Sequence, residues 1–148
     1  MEFNELIADF AKRHNVDNFA AEDGAAALDI DGTVVTFVAV DDSLSIVADI
    51  GEPPVEGRAN FAELLLEANL QSEAFFAKAA ESGAYVIVRR LALASLDPAV
   101  FDTALESLVN QAETWRRLLA DFRPAAESAA ASAQTESPSF GTSGFMQV

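Results

Sequence analysis

Two apolar runs joined by Asp31-Gly32 determine the kind of sheet that this chain can form. The runs are Ala25 to Ile30 and Thr33 to Val40. Both central residues of a two-residue type I′ turn need positive φ, which Asp and Gly tolerate, so the pair predicts a β-hairpin. A third run, Leu44 to Ile50, follows and places its apolar residues at every second position. The segment therefore predicts three antiparallel strands, because parallel strands would need long crossover connections between them.

Helical periodicity predicts three helices around these strands. The first, from about Glu2 to His14, and the second, from about Arg58 to Leu70, repeat apolar residues every three or four positions. The last begins at Asp97-Pro98, an N-cap residue followed by proline at the first helical position. Two more strands, Ala74 to Ala79 and Ala84 to Leu91, separate the second helix from the last. The predicted fold is α+β in the order α-βββ-α-ββ-α, one antiparallel sheet packed with helices.

The second helix is apolar on two sides. Phe61, Leu64 and Leu65 share one side at helical spacing, whereas Leu66 and Leu70 lie nearly opposite. A single-sheet domain offers an apolar partner to one of these sides. The other side therefore predicts contact with a second copy of the chain.

The net charge of −15 argues against nucleic acid and anionic membranes as partners, because both attract clustered Lys and Arg. Simple solubility explains this charge, and complementarity to a basic client segment is the sharper interpretation. No apolar run reaches the length of about 18 residues that predicts membrane insertion. The chain has no Cys, and its N-terminal residues lack a secretory pattern, so we expect a cytoplasmic location.

One motif suggests catalysis. Asp29-Ile30-Asp31-Gly32-Thr33 resembles the nucleophile motif of haloacid-dehalogenase-type phosphatases, in which two aspartates serve as nucleophile and general acid and help to hold Mg²⁺. Those enzymes need helices between parallel strands, whereas another strand follows directly here, so the hairpin is the preferred interpretation. His14 is the only histidine and is expected to end the first helix. We expect no enzymatic activity, no cofactor and no metal, with an Mg²⁺-dependent phosphatase as a distant alternative.

The order of segments also resembles a known family. Phe61 to Leu70 (FAELLLEANL) precedes an apolar strand pair, a Leu96-Asp97-Pro98 helix start and a long helix that ends near Trp115. Over about residues 1–123, this order resembles the type III secretion chaperones of the Tir chaperone (CesT) family. The resemblance implies a homodimeric, non-enzymatic, cytoplasmic chaperone that binds the N-terminal region of a secreted effector and keeps it extended and secretion-competent. A YbjN-like small α+β protein-binding module is the alternative.

The same resemblance assigns residues to two surfaces. The implied dimer interface comprises Leu66, Leu70, Phe75 and Phe76. The implied client-binding residues are Phe3, Ile7, Val35, Phe37 and Val47. A place in the core is the alternative for each client-binding residue, and Val47 is the most interesting because its neighbours already occupy the core face of their strand.

A change of composition predicts a tail. Residues 124–148 are rich in Ala and Ser and contain no Lys or Arg, so we expect a flexible segment beyond a domain of residues 1–123. Its last residues are apolar. They are either a frayed end or a plug in which Phe145, Met146 and Val148 dock into a groove of the same or a neighbouring chain.

Overall fold

A computed structural model of the chain describes residues 1–123. The predicted tail, with its candidate docking residues Phe145, Met146 and Val148, lies outside the described residues. Of the helices within residues 1–123, none is both long and apolar enough to span a membrane.

Helices and strands follow one another in the predicted order. The helices are α1 (Phe3–Arg13), α2 (Arg58–Ala68) and α3 (Pro98–Ala120). The strands are β1 (Ala25–Ile30), β2 (Thr33–Val40), β3 (Ser43–Gly51), β4 (Phe75–Lys78) and β5 (Tyr85–Ala92). A 3₁₀ turn links β5 to α3. The predicted α+β class and the order α-βββ-α-ββ-α are confirmed.

All five strands form one antiparallel sheet in the order β1-β2-β3-β5-β4. Asp31 and Gly32 have φ values of 53° and 91°, as the predicted turn between β1 and β2 requires. The Asp29 carboxylate accepts a hydrogen bond from the Gly32 amide at 2.8 Å, which holds this turn. Because β5 inserts between β3 and β4, the two edges of the sheet are β1 and β4.

The core lies between one face of the sheet and the helices. Strand residues such as Val35, Phe37 and Ile46 point to this face, and they pack in one cluster with residues from all three helices. Alternate strand residues point away, since successive side chains of a strand face opposite sides. Across the opposite face, strand pairing places these residues in one row: Phe75, Val88, Val47, Thr36 and Ala27.

Local signals set the helix ends. The Asp97 carboxylate accepts a hydrogen bond from the Val100 amide at 2.9 Å, and Pro98 is the first residue of α3, as predicted. The second helix ends at Ala68, two residues earlier than predicted. The next residue, Asn69, ties the chain to β4. Its side-chain oxygen accepts a hydrogen bond from the Phe76 amide at 2.7 Å.

Thr33 is a buried polar residue whose replacement should stabilise the fold. Its side chain is fully buried, and its hydroxyl has no hydrogen-bond partner within residues 1–123. Thr33→Val keeps the shape and removes an unpaired polar group, so we expect the free energy of unfolding to rise by about 1 kcal/mol in chemical denaturation. Thr36→Val, on the half-buried opposite face, is the control and should change it less. A loss of stability in Thr33→Val would contradict the prediction.

Candidate functional site

The residues predicted to bind a client do not form one surface. Phe3, Ile7, Val35 and Phe37 are all buried in the core. They point inward because α1 packs its apolar side against the same face of the sheet that carries alternate residues of β2. Val47 lies half-buried on the opposite face. As client contacts the five residues remain predictions, and the structure separates Val47 from the other four.

The residues predicted at the dimer interface lie at one end of α2 and on the edge strand β4. Leu66 is 66% exposed and Leu70 is 90% exposed, whereas Phe61 and Leu65 on the other side of α2 are buried. Leu64, predicted to share a side with Phe61 and Leu65, is 43% exposed, because α2 buries only a narrow arc of its surface against the sheet. Phe75 is half-buried on the outer sheet face.

An apolar groove of about 570 Å³ runs between α2 and β4. Leu66, Ala62 and Ala59 line its helix side, and Phe76 and Ala77 line its strand side. Phe76 is buried and packs edge-on against Trp115, with ring centroids 4.9 Å apart. Apolar surface beside an unpaired edge strand is suited to contact with another chain.

A second groove, of about 530 Å³, lies between the end of α1, one side of α3 and the end of β1. We call it the α3 groove. Its lining residues are Phe10, His14, Ile30, Asp31, Asp102, Leu105, Glu106, Val109, Asn110 and Glu113. The α3 members recur at helical spacing, so they share one side of that helix. This groove was not predicted from the sequence, although the last helix carries a mixture of aliphatic and acidic residues on one side at helical spacing.

Arg13 neutralises one carboxylate of the α3 groove. Its guanidinium hydrogen-bonds to Asp102, with one contact at 3.1 Å, and also to Asp9 at 2.6 Å. The bonds from Arg13 hold the pKa of the Asp102 carboxyl below its usual range, and the two carboxylates raise the pKa of Arg13. His14 ends α1 as predicted, and its ring nitrogen lies 3.1 Å from Asp102.

The other three carboxylates of this groove have no ion-pair partner within residues 1–123. They belong to Asp31, Glu106 and Glu113. Arg116 lies nearby, but its guanidinium donates to the Gly32 carbonyl at 2.8 Å. The groove therefore combines a buried apolar floor with an acidic rim. The rim carboxylates without an ion-pair partner in the described residues lie on α3 and in the β1–β2 turn.

Strand β1 offers unpaired backbone groups beside the α3 groove. Every second residue of an antiparallel strand directs its N–H and C=O away from its neighbour. Ala25 directs these groups to Glu22, with bonds of 2.8 and 3.1 Å. The amides and carbonyls of Ala27 and Asp29 therefore face the open edge of the sheet, where an extended segment of another chain could pair with them.

The phosphatase-like motif has a structural role. The Asp29 carboxylate accepts the hydrogen bond from the Gly32 amide, Asp31 occupies the turn, and Thr33 is buried. A strand follows the motif where the enzymes would need a helix, which confirms the hairpin interpretation. Within residues 1–123, no group of three or more His, Asp or Glu side chains is placed to hold a metal ion.

Comparison with known structures shows which proteins share this fold. One chain of the ExsC–ExsE complex matches with a TM-score of 0.70 and 23% identity, over 80% of this chain and 97% of that chain. A chain from the Yersinia pestis complex of the type III secretion chaperone SycH with a fragment of YscM2 matches with a TM-score of 0.62 and 20% identity, over 77% and 99%. YbjN from E. coli matches with a TM-score of 0.59 and 15% identity, over 78% and 90%.

Comparison of the sequence identifies the family. No curated protein sequence matches significantly. The model of the Tir chaperone protein (CesT) family matches residues 5–116, from within α1 to within the second half of α3. Because this match extends over most of the chain, the protein belongs to the Tir chaperone protein (CesT) family.

Proposed function

We propose that the chain is a type III secretion chaperone that binds the N-terminal region of a secreted effector. It acts without catalysis, in the cytoplasm, and keeps the bound region extended until secretion. The observation that carries the proposal is the family match over residues 5–116. The structural neighbours support it, because among them are a SycH–YscM2 complex and an ExoT–SpcS complex from Pseudomonas aeruginosa.

The surfaces of the molecule are compatible with this function. An extended segment gains affinity from main-chain hydrogen bonds at an open sheet edge and from side chains that enter apolar pockets. Both features occur side by side at β1 and the α3 groove. We therefore propose this edge as the client site, with Val47 on the outer sheet face as a further contact.

We also propose that the functional unit is a homodimer whose interface lies within residues 1–123. The candidate interface is one continuous surface. It comprises the exposed side of α2, the groove between α2 and β4, and the edge of β4. Burial of Leu66 and Leu70 by a second copy would remove two large apolar side chains from water.

Binding to a client tests the proposed function directly. We expect the chain to form a stable complex with the N-terminal segment of at least one protein secreted by its host's type III system, without ATP. In the complex, hydrogen exchange of the client segment should show protection where it contacts the chaperone but no independently folded core, because the segment is bound extended. Size-exclusion chromatography and hydrogen-exchange mass spectrometry measure the two results.

The remainder of the same client is the matched control and should not bind. Binding to the folded C-terminal part instead, or a client segment that keeps a protected core of its own, would contradict the proposal. The fold shared with YbjN leaves a different protein-binding module as the second candidate. That candidate would be favoured over the secretion chaperone if no secreted protein binds and the chain is a monomer.

A further inference from the structure

We infer that the α3 groove selects a client segment with arginine or lysine at a groove-facing position. The inference rests on the proposed function and adds the chemistry of the segment that is bound. It follows from the combination of an apolar floor, an acidic rim without ion-pair partners and an adjacent open strand edge.

The floor of the groove suits the stem of a long side chain. Phe10, Leu105 and Val109 are buried at its base, and Ile30 is half-buried at its β1 end. Arginine and lysine lay their methylene stems along apolar surface while they keep the charged head in water. A purely polar side chain would leave this floor without contacts.

The rim suits the charged head of the same side chain. Glu106 and Glu113 lie on either side of Val109 along α3, and Asp31 lies across the groove from them in the β1–β2 turn. Within residues 1–123 none of the three carboxylates has an ion-pair partner. Charge-assisted hydrogen bonds to carboxylates are about twice as strong as neutral ones, so this rim favours a guanidinium or ammonium group.

The open edge of β1 fixes how the segment reaches the groove. A strand paired with Ala27 and Asp29 would direct every second side chain toward the helices, where Ile30 and α3 line the groove. From Asp102 to Glu113, α3 advances about 16 Å at about 1.5 Å per residue. An extended segment of this length has about five residues, and two or three of its side chains lie on the same face.

Three synthetic peptides test the preference with the full chain. They share the frame Thr-Val-Thr-X-Thr-Val-Thr-X-Thr-Val and carry Arg, Gln or Glu at both X positions. By fluorescence anisotropy of labelled peptides, we expect the Arg peptide to bind about tenfold more tightly than the Gln peptide, and the Glu peptide to bind most weakly, because each Arg gains a charge-assisted contact.

Two double variants show whether the rim is responsible. Glu106→Gln with Glu113→Gln should weaken binding of the Arg peptide about tenfold and change that of the Gln peptide by less than about twofold. Asp41→Asn with Asp42→Asn removes the same charge from the exposed turn between β2 and β3, at the other end of β2 from Asp31, and should leave all three affinities unchanged.

Each contrary result has its own meaning. Equal binding of the three peptides would overturn the preference for cations but leave the groove as a client site. An equal loss in both double variants would overturn it as well, because general attraction to an acidic chain would then explain the binding. Absence of binding by any peptide would overturn the groove as the site, whereas the chaperone function itself is decided by the experiment with secreted proteins.

Discussion

Leu66→Glu combined with Leu70→Glu should convert the proposed dimer into monomers. Burial of each leucine contributes about 1.5–3 kcal/mol, and a two-fold interface loses each contact twice. The new carboxylates would also be buried without partners. We therefore expect the dimer dissociation constant to rise by at least about a hundredfold, measured by light scattering after size-exclusion chromatography.

Val40→Glu is the matched control, because Val40 is a largely exposed aliphatic residue on β2, and two strands separate β2 from the β4 edge of the proposed interface. It should leave the oligomeric state unchanged. Circular dichroism should show that both variants keep the fold, since none of the three replaced side chains belongs to the core. A wild-type monomer, or a double variant that stays dimeric, would contradict the proposed interface and favour the YbjN-like alternative.

Among the substitutions proposed for this chain, Phe61→Ala should cause the largest loss of stability. Phe61 is 1% exposed and holds α2 to the rest of the core through three aromatic neighbours. Its ring lies 5.8 Å from that of Tyr85, 6.1 Å from that of Trp115 and 5.1 Å from that of Phe122, between centroids. Loss of this ring leaves a cavity, so we expect the free energy of unfolding to fall by about 3–5 kcal/mol in chemical denaturation.

Leu64→Ala, on the same helix, is the control for this prediction. Leu64 is far more exposed than Phe61, so its replacement should cost less than about 1 kcal/mol. Both variants must be compared with wild type at one protein concentration, because dimerisation adds to the apparent stability. A loss below about 1 kcal/mol in Phe61→Ala would mean that the aromatic cluster does not anchor α2.

The proposed dimer and client surfaces lie at opposite edges of the sheet. The dimer would form at α2 and the β4 edge, and the client at the β1 edge and the α3 groove. Three strands separate these edges, so the variants that disrupt one surface leave the other in place. This separation lets the oligomeric state and client binding be tested independently.

Local signals in the sequence were enough to predict the elements and their order. Asp31-Gly32 specifies a turn through the φ values that these two residues tolerate, and Asp97-Pro98 specifies a helix start through one side-chain hydrogen bond. Such signals act within a few residues, so they do not depend on the remainder of the fold. The α+β class followed from them because a chain of short strands joined by tight turns must form an antiparallel sheet.

The client-binding residues, which the family resemblance implied, show what local patterns leave undetermined. Periodicity indicates that Phe3 and Ile7 share one side of a helix, and that Val35 and Phe37 share one side of a strand. It does not indicate what covers that side. In the folded chain these two sides cover each other, so all four residues are in the core.

What the sequence by itself determined is therefore the set of helices and strands, most of their boundaries to within two residues, and the two-sided apolarity of α2. Only the tertiary structure decided that β5 lies between β3 and β4, that Phe76 is buried against Trp115, and that α3 forms an acidic groove beside β1. The reason is that each of these features joins residues distant in the sequence. Their proximity depends on how the sheet and helices pack, which no local pattern of residues encodes.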